Sequence, residues 1–386
     1  YEERAKVSVR DVGSNVESAF ASDLELPYKG RGFEKVMLCT LQALNYLFLN
    51  DLDGARVEVR KADLRQKEEE EKHQRELKKL EEYQKKQNVE NRSIDSVMAN
   101  YAVLDDYAAN VVSSFKNAFT YFVSGIIYEA AGDLNDARID YEKSFHLYKT
   151  KSVLKKLIEV NHQLGDREAV DRWSQVAKDS YQEIMALVQD DSHMGEIVVM
   201  YLVGQVPQLK GTKFSLWTPG KNFNVAFPFY DPVTFYSGEH CLEVGINGNG
   251  SIGRTETLVD FIPIITKSLK KRMPGIIVRQ VIRLLTKRSV EKESGKRLGL
   301  LGKLAAKVIN TVTERPDLRG WYELPATVQG FVEKVEPGTL TLNLKAKESG
   351  YEQFSRDVNV EVAPGRKTLV IIQCMGNRRA VHSVQI

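Results

Sequence analysis

Gly248, Gly250 and Gly253, inside HCLEVGINGNGSIGRTETLVDF (240–261), stand in G-x-G-x-x-G spacing. Such glycines let a backbone approach a dinucleotide pyrophosphate when a strand precedes them, a helix follows at once, and an acidic residue lies about 20 positions on to hold the ribose. A strand pattern precedes Gly248. The segment at the ribose distance, TKSLKKRMPG, contains no acid, and no βαβαβ alternation surrounds the motif. Asn247-Gly248 and Asn249-Gly250 are instead favoured pairs for a tight hairpin turn, because both demand positive φ. The expectation is a hairpin and no nucleotide cofactor.

Other residue types that do chemistry are scattered. His73, His146, His162, His193, His240 and His382 show neither H-x-x-x-H nor H-E-x-x-H spacing, and His240-Cys241 is a lone pair without a second ligand cluster. The serines of FSLW and SYQE lack a G-x-S-x-G elbow. SGKRLG resembles a phosphate loop only superficially, since Ser294 precedes the lysine instead of following it. Cys39, Cys241 and Cys374 form no C-x-x-C. Cys241 and Cys374 can pair if their strands meet, and buried free thiols are the other reading. No catalytic, cofactor-binding or metal-ligating residue is therefore expected, and the chain reads as a non-enzyme.

Charge adds one feature. The net charge is +3, yet thirteen Lys and Arg fall between Thr266 and Lys307, opposed only by Glu291 and Glu293. The remainder is net acidic. No apolar run approaches the roughly 20 residues that span a bilayer. The chain opens at Tyr1 without an initiator Met or a signal-type region, which predicts a mature or trimmed product.

The elements that must carry these residues change texture along the chain. The first half has apolar residues at helical spacing. AFTYFVSGIIYEAAGDLNDARIDYEKSFHLYKT fits the tetratricopeptide pattern, with Gly125 small at the helix crossing, Gly132-Asp133 at the turn, and Ala137 and Tyr141 packing in the second helix. NHQLGDREAVDRWSQVAKDSY repeats the frame about one period of roughly 34 residues later, with Gly165-Asp166 at the turn. Ala43, Tyr46, Asn50-Asp51, Ala55 and Ala62 supply an earlier copy. Between the first two copies, QKEEEEKHQRELKKLEEYQKKQ predicts a long solvated helix, and SVMANYAVLDDYAANVVSSFKNAFTYFVSGIIYEAA predicts an amphipathic helix returning along it.

After about Asp191, apolar and polar residues alternate between Gly, Pro and Asn, which predicts strands. Two amphipathic helices, GIIVRQVIRLLTKR and RLGLLGKLAAKVINTVTE, interrupt them. The expected fold is α+β. Residues 1–32 form an extension, and 33–190 a tetratricopeptide-like helical-hairpin domain with a protruding arm over about 64–100. Residues 191–386 form a β-rich, sandwich-like half with a basic helical insertion over about 259–315 and a small sandwich of its own over about 316–386.

PYKGRGFEKVML, ALNYLFLNDLDGARVEVRKA, YFVSGIIYEAAGDLNDARIDYEKS, RMPGIIVRQVIRLLTK and ERPDLRGWYELPATVQ together resemble a family of predicted lipoproteins of the Gram-negative cell envelope that carry tetratricopeptide repeats. The resemblance runs from about Leu26 onward. It implies a periplasmic, outer-membrane-associated protein anchored through a lipidated cysteine upstream of Tyr1. It also implies partners among small envelope lipoproteins resembling the curli secretion channel.

Read physically, Gly30 and Gly32 turn the chain into the first helix, and Glu34 sits in its first turn, where negative charge is favoured. Arg56 and Arg60 share a helix face, Val57 and Ala62 face inward, and Glu58 pairs with Lys61 or with an arginine of a neighbouring helix. Tyr28, Arg31, Glu34, Arg56 and Arg60 are the candidate partner-binding residues, with structural support as the competing role.

The leading expectation is a non-enzymatic scaffold that binds protein partners through helical repeats. The alternative is a membrane-surface or lipid-binding protein. There Ile277 and Leu284 belong to the apolar face of a basic helix whose cations include Arg279, Arg283, Lys287 and Arg288. The competing structural role is that this helix covers the sheet. A nucleic-acid role is disfavoured because the basic run lacks interleaved aromatics. An enzyme acting on cell-wall or polysaccharide substrates lacks a convincing carboxylate pair.

Overall fold

A computed structural model describes residues 27–86, 88–177, 193–235, 240–297, 315–348, 351–375 and 378–386. It is a mixed α+β protein with helices first and a β-rich region after them. Helix α1 (Gly32–Phe48) pairs with α2 (Leu52–Lys86), α5 (Ala118–Ala130) with α6 (Leu134–Leu147), and α7 (Lys151–Gln163) with α8 (Arg167–Ala177). Each pair turns on a left-handed residue followed by an aspartate: Asn50 at φ 55°, Gly132 at 79° and Gly165 at 72°. Such residues end helices because glycine, and less often asparagine, tolerates positive φ. Asp51 and Asp166 then accept backbone N–H groups of Gly54 (2.7 Å) and Ala169 (3.0 Å), and so cap the following helices.

The arm differs from expectation on its return, and α2 becomes solvated a little later than residue 64. The first turns of α2 are packed, with Ala55, Val59 and Ala62 buried and Gln66 accepting the Asn117 N–H at 2.9 Å. The helix becomes predominantly solvated only near Glu70. The return is not one helix alongside it. It is broken into α3 (Asn91–Met98), a 3₁₀ turn (Ala99–Leu104) and α4 (Asp105–Ala109). Val111-Val112-Ser113-Ser114 ends the run with residues of weak helix propensity. The returning segment packs instead on β2 (Lys210–Thr218), which forms a hairpin with β3 (Lys221–Phe229). There Tyr101 donates to the Pro228 carbonyl at 2.6 Å and meets Phe214 and Phe229 edge-on, each at 5.6 Å.

The remaining strands are β1 (Gly195–Val203), β4 (His240–Ile246), β5 (Ser251–Arg254), β6 (Glu256–Asp260), β7 (Thr327–Val335), β8 (Gly338–Glu348), β9 (Tyr351–Val362), β10 (Lys367–Met375) and β11 (Arg378–Gln385). They build a five-stranded sheet in the order β11-β10-β1-β7-β6 and a four-stranded sheet in the order β5-β4-β8-β9. β1 runs parallel to β10 and antiparallel to β7. Its alternation explains the layering. Val198, Met200 and Leu202 join the core shared with the helices, whereas Ile197, Val199, Tyr201 and Val203 join Leu242, Val244, Leu342 and Leu344 of the second sheet. A strand buried on both faces reads as a continuous apolar run, as IVVMYLV does.

The strands after residue 316 are thus not a sandwich of their own. β7, β10 and β11 share a sheet with β1 and β6, while β8 and β9 share the other with β4 and β5. Cys241 and Cys374 lie in different sheets, and Cys39, Cys241 and Cys374 are all free thiols.

The basic segment begins as a single helix, α9 (Phe261–Arg297), rather than at Gly275. Asp260 accepts the Ile262 N–H at 2.9 Å, and Pro263 falls in the first turn, where no donor is needed. Pro274 is carried inside the helix. The second helix expected, over 297–314, lies almost wholly outside the described residues. α9 packs chiefly on α3 and α4, so it covers helices more than sheet.

Candidate functional site

Three family phrases, distant in sequence, meet at the start of α1. Gly30, at φ 74°, turns the chain there, whereas Gly32 is already helical and lies close to Glu69. Glu34 is the hub. One carboxylate oxygen accepts the Tyr28 hydroxyl and the Arg31 backbone N–H (2.6 Å), and the other accepts the Trp321 backbone N–H at 2.9 Å. The Arg31–Glu34 bond is half of a capping box. Arg31 also reaches the Arg319 carbonyl at 3.4 Å and stands 3.9 Å from Asp317, which Arg319 grips through two nitrogens at 2.8 and 3.0 Å. The guanidinium groups of Arg31 and Arg319 lie 5.3 and 5.5 Å from the centre of the Tyr28 ring, within cation–π range.

Electrostatics follow from burial and from this pairing. Burial, then the Glu34 charge, raises the Tyr28 phenol well above its ordinary value. Burial opposes ionisation of Asp317, but its bonds from Arg319 and the nearby Arg31 hold it below the usual range. Arg272, the arginine of RMPG on α9, faces the same group together with Tyr230. Burial and then the like charge of Arg31 push it down to about 10, so it remains a cation at neutral pH. Each carboxylate of the cluster is already engaged by donors from its own chain. The arrangement holds the start of α1 to the segment 315–322. Glu34→Ala strands three donors in a partly buried site, so a loss of about 1–3 kcal/mol is expected, read as a lowered denaturation midpoint.

Arg56 is half-buried and turns toward the second hairpin, while Arg60 is exposed. Arg56 pairs with Asp133, in the turn of the second hairpin, and with Asp53 at 3.3 Å. Arg60 lies within electrostatic reach of Tyr128 of α5. The Arg56–Asp133 pair joins the first hairpin to the second. The inward face of α2 is set by Ala55, Val59 and Ala62, and Val57 is 47% exposed, contrary to expectation. The reason is phase: 55, 59 and 62 recur at helical spacing, and 57 falls between them. Glu58 pairs with Lys61 at 2.8 Å.

The lipid-face candidates divide. Ile277 is fully buried, Arg283 is buried, and Arg279 and Leu284 are half-buried, with Leu284 against the main core. Lys287 and Arg288 lie on α9, their side chains outside the described set. Near its start, Lys267 donates to the Val111 carbonyl and Lys270 pairs with Asp105. The apolar face required for lipid is already used inside the protein. Ile277→Asp with Leu284→Asp should therefore abolish the cooperative thermal transition, because a fully buried carboxylate lacks partners. Retention of a normal melt with loss of liposome co-sedimentation is the contrary result.

The glycine motif forms the β4–β5 hairpin. Asn247, Gly248 and Gly250 take φ of 51°, 73° and 92°, in a four-residue loop longer than the tight turn expected. Asn343 accepts the Gly248 N–H at 2.8 Å. Gly253 serves packing: a Cβ there would lie 2.3 Å from the Phe331 ring between the sheets.

One cluster went unsuspected. Lys156 of α7 lies 2.8 Å from Glu129, 2.8 Å from Glu159 and 2.6 Å from Glu196 of β1. Lys367 of β10 bridges Glu129 (2.7 Å) and Glu196, Lys334 lies 3.9 Å from Glu159, and Tyr141 donates to Glu129 at 2.7 Å. Its sequence signal is charge amid apolar neighbours, in SVLKKLIEV, GIIYEAA and GEIVVM. The cluster ties the helices to the sheet. Comparison of the chain with family models, curated proteins and solved structures gives no match.

Proposed function

We infer that this protein is a non-enzymatic scaffold of a bacterial envelope complex, periplasmic and outer-membrane-associated, that binds partner proteins through tetratricopeptide-like hairpins. The observation that carries the reading is the succession of three helical hairpins turned by the same left-handed-residue–aspartate device, each packed on the next. Stacked hairpins leave a continuous surface for protein partners. The long arm of α2 adds an exposed, charged element beside them.

The way the charged residues are used supports the same reading. Glu34, Asp317 and Arg56 all bond to other parts of this chain. They make the surface rigid and leave recognition to the faces around them. Small envelope lipoproteins resembling the curli secretion channel are the proposed partners, on the strength of the sequence resemblance. Affinity capture from detergent-solubilised envelope, with mass spectrometry, tests the proposal. Recovery of one or a few envelope proteins in defined ratio is expected, and recovery of none from a bait that melts normally overturns it.

A further inference from the structure

Among the described residues, β11 is the outer strand of the five-stranded sheet, and its register shows which backbone groups point outward. Lys367 and Ile386 exchange both N–H···O bonds, at 3.2 and 2.9 Å. In an antiparallel pair, such exchanging positions alternate with non-exchanging ones. Counting back along β11 puts Val384, His382 and Ala380 at exchanging positions. Val381, Ser383 and Gln385 therefore direct their N–H and C=O groups away from β10.

Exposed edges invite strand pairing, and folded proteins commonly blunt them with bulges. In the two larger sheets the other edges follow this rule: β5, β6 and β9 each carry a register shift against their neighbours. β11 runs in unbroken register from Arg378 to Gln385 and contains no proline. Beside it lies a groove of about 360 Å³ between α1 and the sheet, lined by Leu41, Leu44, Phe48, Leu202, Ile371 and His382 among others. His382 faces Ile371 across the ladder and so shares its side of the sheet. Charge supplies a direction. β11 opens with the exposed Arg378 and Arg379 and holds no acidic residue.

We propose that the β11 edge and its groove receive an extended segment of a partner polypeptide by strand addition, with apolar residues at alternate positions and an acidic residue near Arg378. This deepens the scaffold reading and rests on it. An extended backbone matches the unbroken ladder edge, and period-two side chains would direct every second residue to the groove side.

The test is a displayed library of random twelve-residue peptides selected on the whole chain. The best peptide is then measured by fluorescence anisotropy against the wild type, Ser383→Pro, Leu41→Glu and Arg378→Glu. Proline at 383 removes only an outward donor, a position where edge strands tolerate it. Selected peptides should alternate apolar and polar residues and carry an acid. Affinity should fall at least tenfold with Ser383→Pro and with Leu41→Glu, and several-fold with Arg378→Glu. Hydrogen exchange on the wild type, which depends on no variant, should show the bound peptide slowing the amides of Val381, Ser383 and Gln385. No enriched peptide, or binding indifferent to both Ser383→Pro and Leu41→Glu, overturns the proposal. So does a concentration-dependent dimer that Ser383→Pro dissolves, since the occupant is then a second copy. If Ser383→Pro still captures the envelope partners, the edge inference alone has failed and the scaffold reading stands.

Discussion

Replacing Lys156 by Met is expected to destabilise the protein by about 3–5 kcal/mol at neutral pH, the usual consequence of removing one partner from a buried ion cluster. Burial alone would lower the Lys156 ammonium, but Glu129, Glu159 and Glu196 hold it well above its ordinary value. Burial would likewise raise Glu129 and Glu196, yet Lys156 and Lys367 hold both below the ordinary 4.5. The signs define a window. The carboxylates' contribution is present above about pH 4.5 and is lost as pH falls toward their depressed values. The lysine's contribution is present below its ordinary 10.5 and is lost as pH rises through its raised value. In the Lys156→Met variant the glutamates lose their central cation, their folded values rise, and ionisation then works against folding. The gap between wild type and variant should accordingly narrow as pH falls through the carboxylate range. Chemical denaturation at a series of pH values measures this. A gap that stays constant or widens toward acid contradicts the assignment.

Gly125→Leu is the second large effect expected, about 3 kcal/mol, at the upper end for overpacking a core. A Cβ at Gly125 would stand 2.5 Å from Tyr141 Cε1 and 2.8 Å from its Cζ. The ring is fully buried, and its hydroxyl is held by Glu129 at 2.7 Å. Retreat of the ring therefore breaks a bond into the Lys156 cluster, and the effects of Gly125→Leu and Lys156→Met should not be additive. Thermal and denaturant melts of both single variants and the double variant measure the coupling. An unchanged melting temperature for Gly125→Leu contradicts the close contact of α5 with α6.

What the sequence determined by itself is local. Helical spacing, with Asn50-Asp51, Gly132-Asp133 and Gly165-Asp166, specifies the three hairpins, because a positive-φ residue before an aspartate at a helix start is a short-range signal. Alternation and Asn-Gly pairs likewise mark the strands and the β4–β5 turn. Tertiary structure decided what neighbours in space impose. Pairing across long separations put β7, β10 and β11 in one sheet with β1 and dissolved the separate C-terminal sandwich. Burial against α3 and α4 turned the apolar face of α9 inward, although an amphipathic pattern serves a lipid surface equally well. Arg31 reaches Asp317 and the Arg319 carbonyl, and Glu34 reaches the Trp321 N–H, only when segments nearly 300 residues apart meet, as the 288-residue separation of Arg31 and Arg319 shows. The Lys156 cluster has the same origin: whether a charge in an apolar run is buried and paired depends on which chain segment arrives opposite it, and that is a property of the fold.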